Sequence, residues 1–283
     1  MAPTASTKAR SGASMEASAT SADAARPLAG RHAFITGASR GIGAAIAREL
    51  GRLGADLSLV ARGTAALGEL GEDLRGSNAC RVGEIAADVT DARAIAEAVA
   101  RASAAFGPPS ILINNAGGAQ SAPFARTDTG QWRRLIELNL TSVYLVTHAV
   151  APTMLAAGYG RIVNVASTAG LRGYPYVSAY VAAKHGVIGL TRALAVEFAR
   201  TGVTVNAVCP GYTDTPMLDT AIANIAAKTK TTAAAARANL AATNPMGRLI
   251  RPEEVAAVVG WLCLDAAASI TGQAVAIAGG EVT

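Results

Sequence analysis

Tyr180 and Lys184 stand four residues apart in a stretch that reads as helical, which puts them on one face about one turn from each other. A phenol and an ammonium so placed can handle a proton. The ammonium stabilises the phenolate and lowers the tyrosine pKa toward working pH, making Tyr180 a general acid and base. An exposed helical pair without chemistry has the same spacing. Ser167 follows the short apolar run Arg161–Val165, at the end where open α/β sheets place ligands, although a turn or helix-capping serine reads the same way.

A second group of residues suits a nucleotide. Thr36-Gly37-Ala38-Ser39-Arg40-Gly41-Ile42-Gly43 joins a candidate strand to a candidate helix. Its glycines permit a tight turn and close backbone approach to a pyrophosphate, which the free N–H groups and dipole of the helix N-terminus then hold. An acidic residue at the end of the next strand would bond the ribose 2′-OH of NAD, but Val60-Ala61-Arg62 stands there. Arg62 and Arg40 can clasp a 2′-phosphate through charge-assisted bonds, while Asp56 falls too early in its strand to reach the ribose. NADP(H) is therefore favoured over NAD(H), with two solvated arginines as the alternative.

Positioning these groups requires alternating strands and helices. Candidate strands are His32–Thr36, Asp56–Ala61, Arg81–Ala86, Ile111–Asn114, Arg161–Val165, Thr204–Val208 and Ala274–Ile277. Ile42, Ile46, Leu50 and Leu53 recur at helical spacing between the first two. Similar patterns occupy about 64–75, 91–106, 128–157, 178–200 and 252–264. The alternation predicts one α/β domain over 27–283, built on a seven-stranded parallel sheet. Residues 212–248, rich in Ala and Thr, interrupt it at a strand's carboxyl end and read as a substrate lid.

Composition narrows the function classes. Of 283 residues, 51% are hydrophobic and only 4% aromatic, so small side chains must pack the interior. The net charge of +5 permits attraction to polyanions, but the cations are scattered and no basic run supports nucleic-acid binding. Cys80, Cys209 and Cys263 are far apart, and no spacing suits a metal. No apolar stretch is expected to reach the ~18–20 residues of a membrane span. Residues 1–26 have no Leu, Ile, Val or Phe and read as a disordered tail, with an organelle transit peptide as the weaker alternative.

Taken together, the glycine turn, Asn114-Asn115-Ala116-Gly117, Asn139, Ser167, Tyr180-Val181-Ala182-Ala183-Lys184 and Pro210-Gly211 follow the order and intervals of the short-chain dehydrogenase/reductase family. The resemblance spans residues 30–283 and is nearest to 3-oxoacyl-(acyl-carrier-protein) reductases and related polyketide and acyl-CoA ketoreductases. It implies a doubly wound Rossmann fold and a catalytic tetrad of Asn139, Ser167, Tyr180 and Lys184. Ser167 would fix the substrate carbonyl, Tyr180 deliver the proton, Lys184 bond the nicotinamide ribose, and Asn139 hold a proton-relaying water. Cofactor contacts are implied at Gly37, Ser39, Arg40, Ile42 and Gly43, with Asp88 and Val89 at the adenine. Asn115, Ala116 and Gly117 would line the fourth strand's end, although Asn115 also reads as a bond between neighbouring strand ends. Pro210, Gly211, Thr213 and Thr215 would frame the carboxamide.

The expected function is NADP(H)-dependent reduction of a ketone on a small molecule or thioester carrier, in the first place a 3-oxoacyl thioester, by a cytoplasmic homotetramer. An NAD-linked 3-hydroxyacyl-CoA or secondary-alcohol dehydrogenase is the enzymatic alternative, and a cofactor-sensing regulator the non-enzymatic one. Lys228, Lys230, Arg237 and Arg248 in the lid either are solvated helix surface or steer an acidic carrier.

Overall fold

Period-two alternation in the strands sorts side chains onto two sheet faces, and each face carries its own layer of helices. Ala33, Ile35, Leu57, Leu59, Ile111, Ile113, Val163 and Val165 belong to one buried cluster, while their intervening neighbours Phe34, Val60, Leu112 and Ile162 belong to another. The computed structural model describes residues 26–77 and 80–282. Apart from Arg26, the tail predicted to be disordered lies outside the described residues.

The strands are β1 (His32–Thr36), β2 (Asp56–Ala61), β3 (Val82–Ala86), β4 (Ile111–Asn114), β5 (Gly160–Val165), β6 (Val203–Pro210) and β7 (Ala274–Ile277). All pair in parallel, in the order β3-β2-β1-β4-β5-β6-β7. The order reverses between β1 and β4, so a crevice opens beyond their carboxyl ends, where such sheets bind ligands. Strand β6 runs two residues further than its pattern suggested, because β7 pairs Cys209 with Ala276 and Pro210 with Ile277.

Helices α1 (Gly41–Arg52), α2 (Ala65–Ser77) and α9 (Pro252–Cys263) cover the first face. On the opposite face lie α3 (Ala92–Phe106), α5 (Ser142–Ala157) and α6 (Ser178–Glu197). The predicted 128–157 helix is instead α4 (Thr129–Ile136), a π-helical turn at Glu137–Thr141, and α5. This run is continuous enough to have the length of a membrane span, with a mean hydropathy of 1.3, contrary to the expectation that no such stretch exists. Its Val146, Val150, Ala151 and Met154 are buried against the sheet, the ordinary place of an apolar core helix. The 212–248 interruption forms two helices, α7 (Pro216–Thr229) and α8 (Ala233–Ala241).

Candidate active site

Three turns at the carboxyl edge of the sheet carry the residues singled out by sequence. After β1 comes the glycine turn, whose tightness has an internal cause. Gly37 has φ +63°, and a side chain there would lie 2.8 Å from Ala116 Cα. At Gly43 it would lie 2.2 Å from the Gly37 carbonyl and 2.5 Å from Asn115 Nδ2. These glycines let the first turn of α1 nest against the end of β4. Asn115 Nδ2 donates to the Thr36 and Gly37 carbonyls at 3.1 and 2.9 Å, and Thr36 Oγ1 accepts from the N–H groups of Asn115 and Ala116. Asn115 thus bonds neighbouring strand ends, with Ala116 and Gly117 following along the rim of the crevice.

Helix α1 starts without a side-chain cap or an acidic residue in its first turn, whereas α3, α4, α7 and α8 are capped by Asp91, Asp128, Thr215 and Thr232. Its first N–H groups therefore remain for an anion at the switch point, and the residues present fit a dinucleotide pyrophosphate. Ser39, Arg40 and Gly41 also border a cleft of about 560 Å³ that extends past Arg48 to Asp73 and Glu253. This cleft reaches none of the catalytic candidates. Arg40 and Arg62 are exposed, and neither joins an ion pair among the described residues. Asp56, by contrast, is spent at the amino end of β2, where it pairs with Arg81 at 2.7 Å.

On the adenine side, Asp88 Oδ1 accepts from the backbone N–H and hydroxyl of Thr90 at 2.9 and 2.8 Å. These bonds, with the more distant Arg62 charge, hold its carboxyl below the usual range despite partial burial. Val89 beside it is buried. At the end of β6, the hydroxyl of Thr213 donates to the Gly211 carbonyl at 3.0 Å, and that of Thr215 to the Thr213 carbonyl at 3.2 Å while capping α7. Both threonines therefore shape the turn after Pro210. Thr215 also lies 3.2 Å from where a Gly41 side chain would start, bringing the root of α7 against the glycine turn.

The catalytic candidates meet between β5, α6 and the π turn. Lys184 is only 4% exposed, its Nζ donating to the Val165 carbonyl at 2.7 Å and lying 5.7 Å from the Tyr180 ring centroid. Burial brings its ammonium down to about 8, with the buried Cys209 opposing. Burial raises the Tyr180 phenol, and its hydrogen bond with Ser167 only partly offsets that. The expected lowering by the ammonium is thus not what the packing gives: desolvation dominates and moves the phenol the other way.

Ser167 Oγ accepts from the Ala169 N–H at 3.1 Å, so it caps the short 3₁₀ turn Thr168–Gly170. That bond occupies a lone pair and leaves the hydroxyl proton to donate. Asn139 is fully buried in the π turn, with Oδ1 accepting from Gly118 N–H and Nδ2 donating to the Gly118 and Leu135 carbonyls. Its side chain pins the loop after β4. A Gly117 side chain would start 2.8 Å from Asn139 Oδ1 and 3.8 Å from Lys184 Nζ, so the absence of one lets these residues meet.

Two supporting groups escaped the sequence reading. A buried polar chain runs from Thr147 through Asn114 and Asn164 to Thr191, each bond 2.9 Å, fastening α5, β4, β5 and α6 together. The thiol of Cys209, pushed up to about 11 by burial, faces the Lys184 charge from β6. Adjacent polar residues at strand ends were the available signal for the first. Nothing in the sequence singles out Cys209.

This geometry has close relatives. The sequence matches the short chain dehydrogenase family over residues 31–226. It is 42% identical to granaticin polyketide synthase putative ketoacyl reductase 1 of Streptomyces violaceoruber, over 95% of this chain and 97% of that protein. It is 38% identical to the 3-oxoacyl-(acyl-carrier-protein) reductase of Pseudomonas aeruginosa, over 89% and 98%. Among solved structures, a variant of actinorhodin polyketide ketoreductase with NADPH superposes at a TM-score of 0.86 and 39% identity, covering 91% of this chain and 98% of that one. On sequence and fold alike, the chain belongs to the short-chain dehydrogenase family.

Proposed function

We propose that this chain reduces a ketone to a secondary alcohol with NADPH, its substrate in the first place a 3-oxoacyl thioester on acyl-carrier protein or CoA. The observation that carries this reading is the placement of Tyr180, its ring 5.7 Å from the Lys184 Nζ that is fixed on the Val165 carbonyl, at the strand end that also carries Ser167. A phenol so placed can give its proton to a carbonyl oxygen during reduction, with the ammonium at hand for the phenolate left behind.

In this mechanism the Ser167 hydroxyl proton, which otherwise turns toward Tyr180, is donated to the substrate carbonyl and sets its distance from Tyr180. The bound cofactor supplies hydride to the carbonyl carbon. Tyr180 Oη gives its proton to the oxygen, and Lys184, one helical turn away, stabilises the resulting phenolate. Asn139 acts by holding Gly118 and hence the wall beside Lys184. The N-terminus of α1 with Gly37, Ser39, Ile42 and Gly43 would hold the pyrophosphate, and Asp88 and Val89 would flank the adenine. NADPH is preferred over NADH because Arg40 and Arg62 present two exposed guanidiniums without ion-pair partners among the described residues and no carboxylate ends β2. The NADPH and ketoacyl reductase names of its relatives support the same reading.

We further propose that α7 and α8 form the lid and that the enzyme is a cytoplasmic homotetramer. The outward-facing pair of Tyr144 and His148 rings on α5, 5.6 Å apart, supports a subunit contact. Thioester carriers are intracellular, in accord with the location. Light scattering behind gel filtration tests the assembly, and a monomer would overturn it. The test of function is a rate panel of acetoacetyl-CoA, a longer 3-oxoacyl thioester and a cyclic ketone with NADPH and NADH. The thioesters with NADPH are expected to lead. Reduction of the cyclic ketone alone would contradict the substrate class, and preference for NADH the cofactor.

A further inference from the structure

The C-terminal segment reaches the site from a direction that the tetrad does not use. Tyr174 Oη lies 2.5 Å from Glu281 Oε1 and 2.9 Å from Thr168 Oγ1. A phenol has one proton and a carboxylate only accepts, so Tyr174 donates to Glu281 and receives from Thr168. Burial and Glu281 together push the Tyr174 phenol up to about 12 against the pull of Thr168. Thr168 follows Ser167 directly. The other oxygen, Glu281 Oε2, lies 2.9 Å from where a Gly211 side chain would start, and Gly211 follows Pro210 on the opposite wall. The carboxylate thus borders Gly211 directly and reaches Thr168, the neighbour of Ser167, through the Tyr174 hydroxyl.

Among the described residues, Arg172 is the cation that touches Glu281. Arg172 donates to the backbone carbonyl of Glu281 at 3.3 Å and stacks 4.9 Å from the Tyr174 ring. Glu281 presents its carboxylate to the Tyr174 hydroxyl, whereas Arg172 meets only the Glu281 backbone and the Tyr174 ring, so the carboxylate is the charge that faces the corner between the Tyr174 and Tyr212 rings. An uncharged acyl chain or ester enters such a corner without penalty, whereas a second carboxylate meets repulsion in a partly dry site.

We propose that Glu281 is a specificity-determining residue that excludes carboxylate-bearing ketones and admits neutral ones, so that the substrate is a 3-oxo ester or thioester rather than a free 3-oxo acid. This rests on the ketone reduction proposed above and names which side of that substrate class the site accepts.

The test measures binding of acetoacetate and of methyl acetoacetate by calorimetry to the protein saturated with NADP⁺, a mixture holding no hydride donor. Wild type is expected to bind the ester about tenfold tighter than the anion, or more, and Glu281→Gln to shrink that ratio about tenfold. Glu281→Asp, which keeps the charge, should preserve the preference. Thermal midpoints check that each variant folds, and should Glu281→Gln not fold, the salt dependence of the wild-type ratio replaces it, the preference falling as salt rises. An equal ratio in wild type and Glu281→Gln, or acetoacetate binding undetectable in both, would overturn the proposal. A salt-independent wild-type ratio would do the same in the fallback. Absence of ketone reduction by wild type with NADPH would instead overturn the proposed function while leaving the charge preference readable.

Discussion

Around Lys184, Asn139, Thr191 and Ala183 are fully or almost fully buried and the site rests on strands paired on both sides. Across the crevice, α7 and α8 bury only Leu218, Ile222 and Ala236 among themselves, and their polar contacts are exposed ion pairs. One region is preformed, its groups held by the same contacts that stabilise the fold. The other is attached by a few side chains and can open at low cost. On the proposed reading chemistry belongs to the first region and substrate admission to the second, and each prediction below sets one against the other.

The largest effect is expected on the rigid side. Tyr180→Phe deletes only the transferable proton, so turnover should fall by about 10²–10⁴-fold or more while NADPH titration by fluorescence changes little. A variant keeping a tenth of the wild-type rate would remove Tyr180 from the mechanism. Arg62→Asp should next weaken NADPH by a few kcal/mol relative to NADH, since the 2′-phosphate loses a cation and gains a repulsive neighbour. An unchanged cofactor preference in Arg40→Ala/Arg62→Asp would show that β2 does not read the phosphate.

Core substitutions sharpen the comparison further. Ile46→Ala, fully buried in α1, should lower global stability by about 2–5 kcal/mol in urea titration. Leu218→Ala, in the small lid cluster, should leave the global midpoint almost unmoved yet speed proteolysis within 212–248. Equal global losses would mean that the lid is part of the main cooperative unit. The smallest effect belongs to lid charge. Arg237 is paired with Asp214 and Asp219, and Arg248 with Glu254, which leaves Lys228 and Lys230 as the basic pair for steering. Lys228→Ala/Lys230→Ala should reduce kcat/KM for acetoacetyl-CoA a few-fold at low salt and leave a neutral ketone unaffected.

Strand positions were legible because apolar residues at strand period mark a sheet covered on both faces, and the glycine turn because Gly37 and Gly43 stand where only backbone fits. The π turn was not legible: Glu137-Leu138-Asn139-Leu140 keeps the apolar rhythm of a helix while the bond pattern shifts by one residue. Family order located Asn139, yet only the fold shows its amide bonded to Gly118 and Leu135. The lid's ion pairs and the Tyr174–Glu281 contact join residues 18 to 107 positions apart, beyond any local pattern. The tyrosine's raised pKa was missed for a related reason, since spacing reveals the nearby lysine but not the loss of water around both.

That last difference bears on the central claim, that Tyr180, its phenol raised by desolvation, gives the proton in reduction. Lys184 is held at about 8, below its unfolded value of 10.5, so the unfolded chain binds the extra proton and the lysine's contribution to stability should rise between those limits. Lys184→Met should abolish that rise in pH-dependent unfolding. The most direct measurement is the pH profile of kcat/KM for ketone reduction, run beside alcohol oxidation on the same enzyme. Reduction should stay level through neutral pH and fall above about 8 as Lys184 and then Tyr180 lose their protons, while oxidation climbs there. Reduction that accelerated with rising pH would contradict the account.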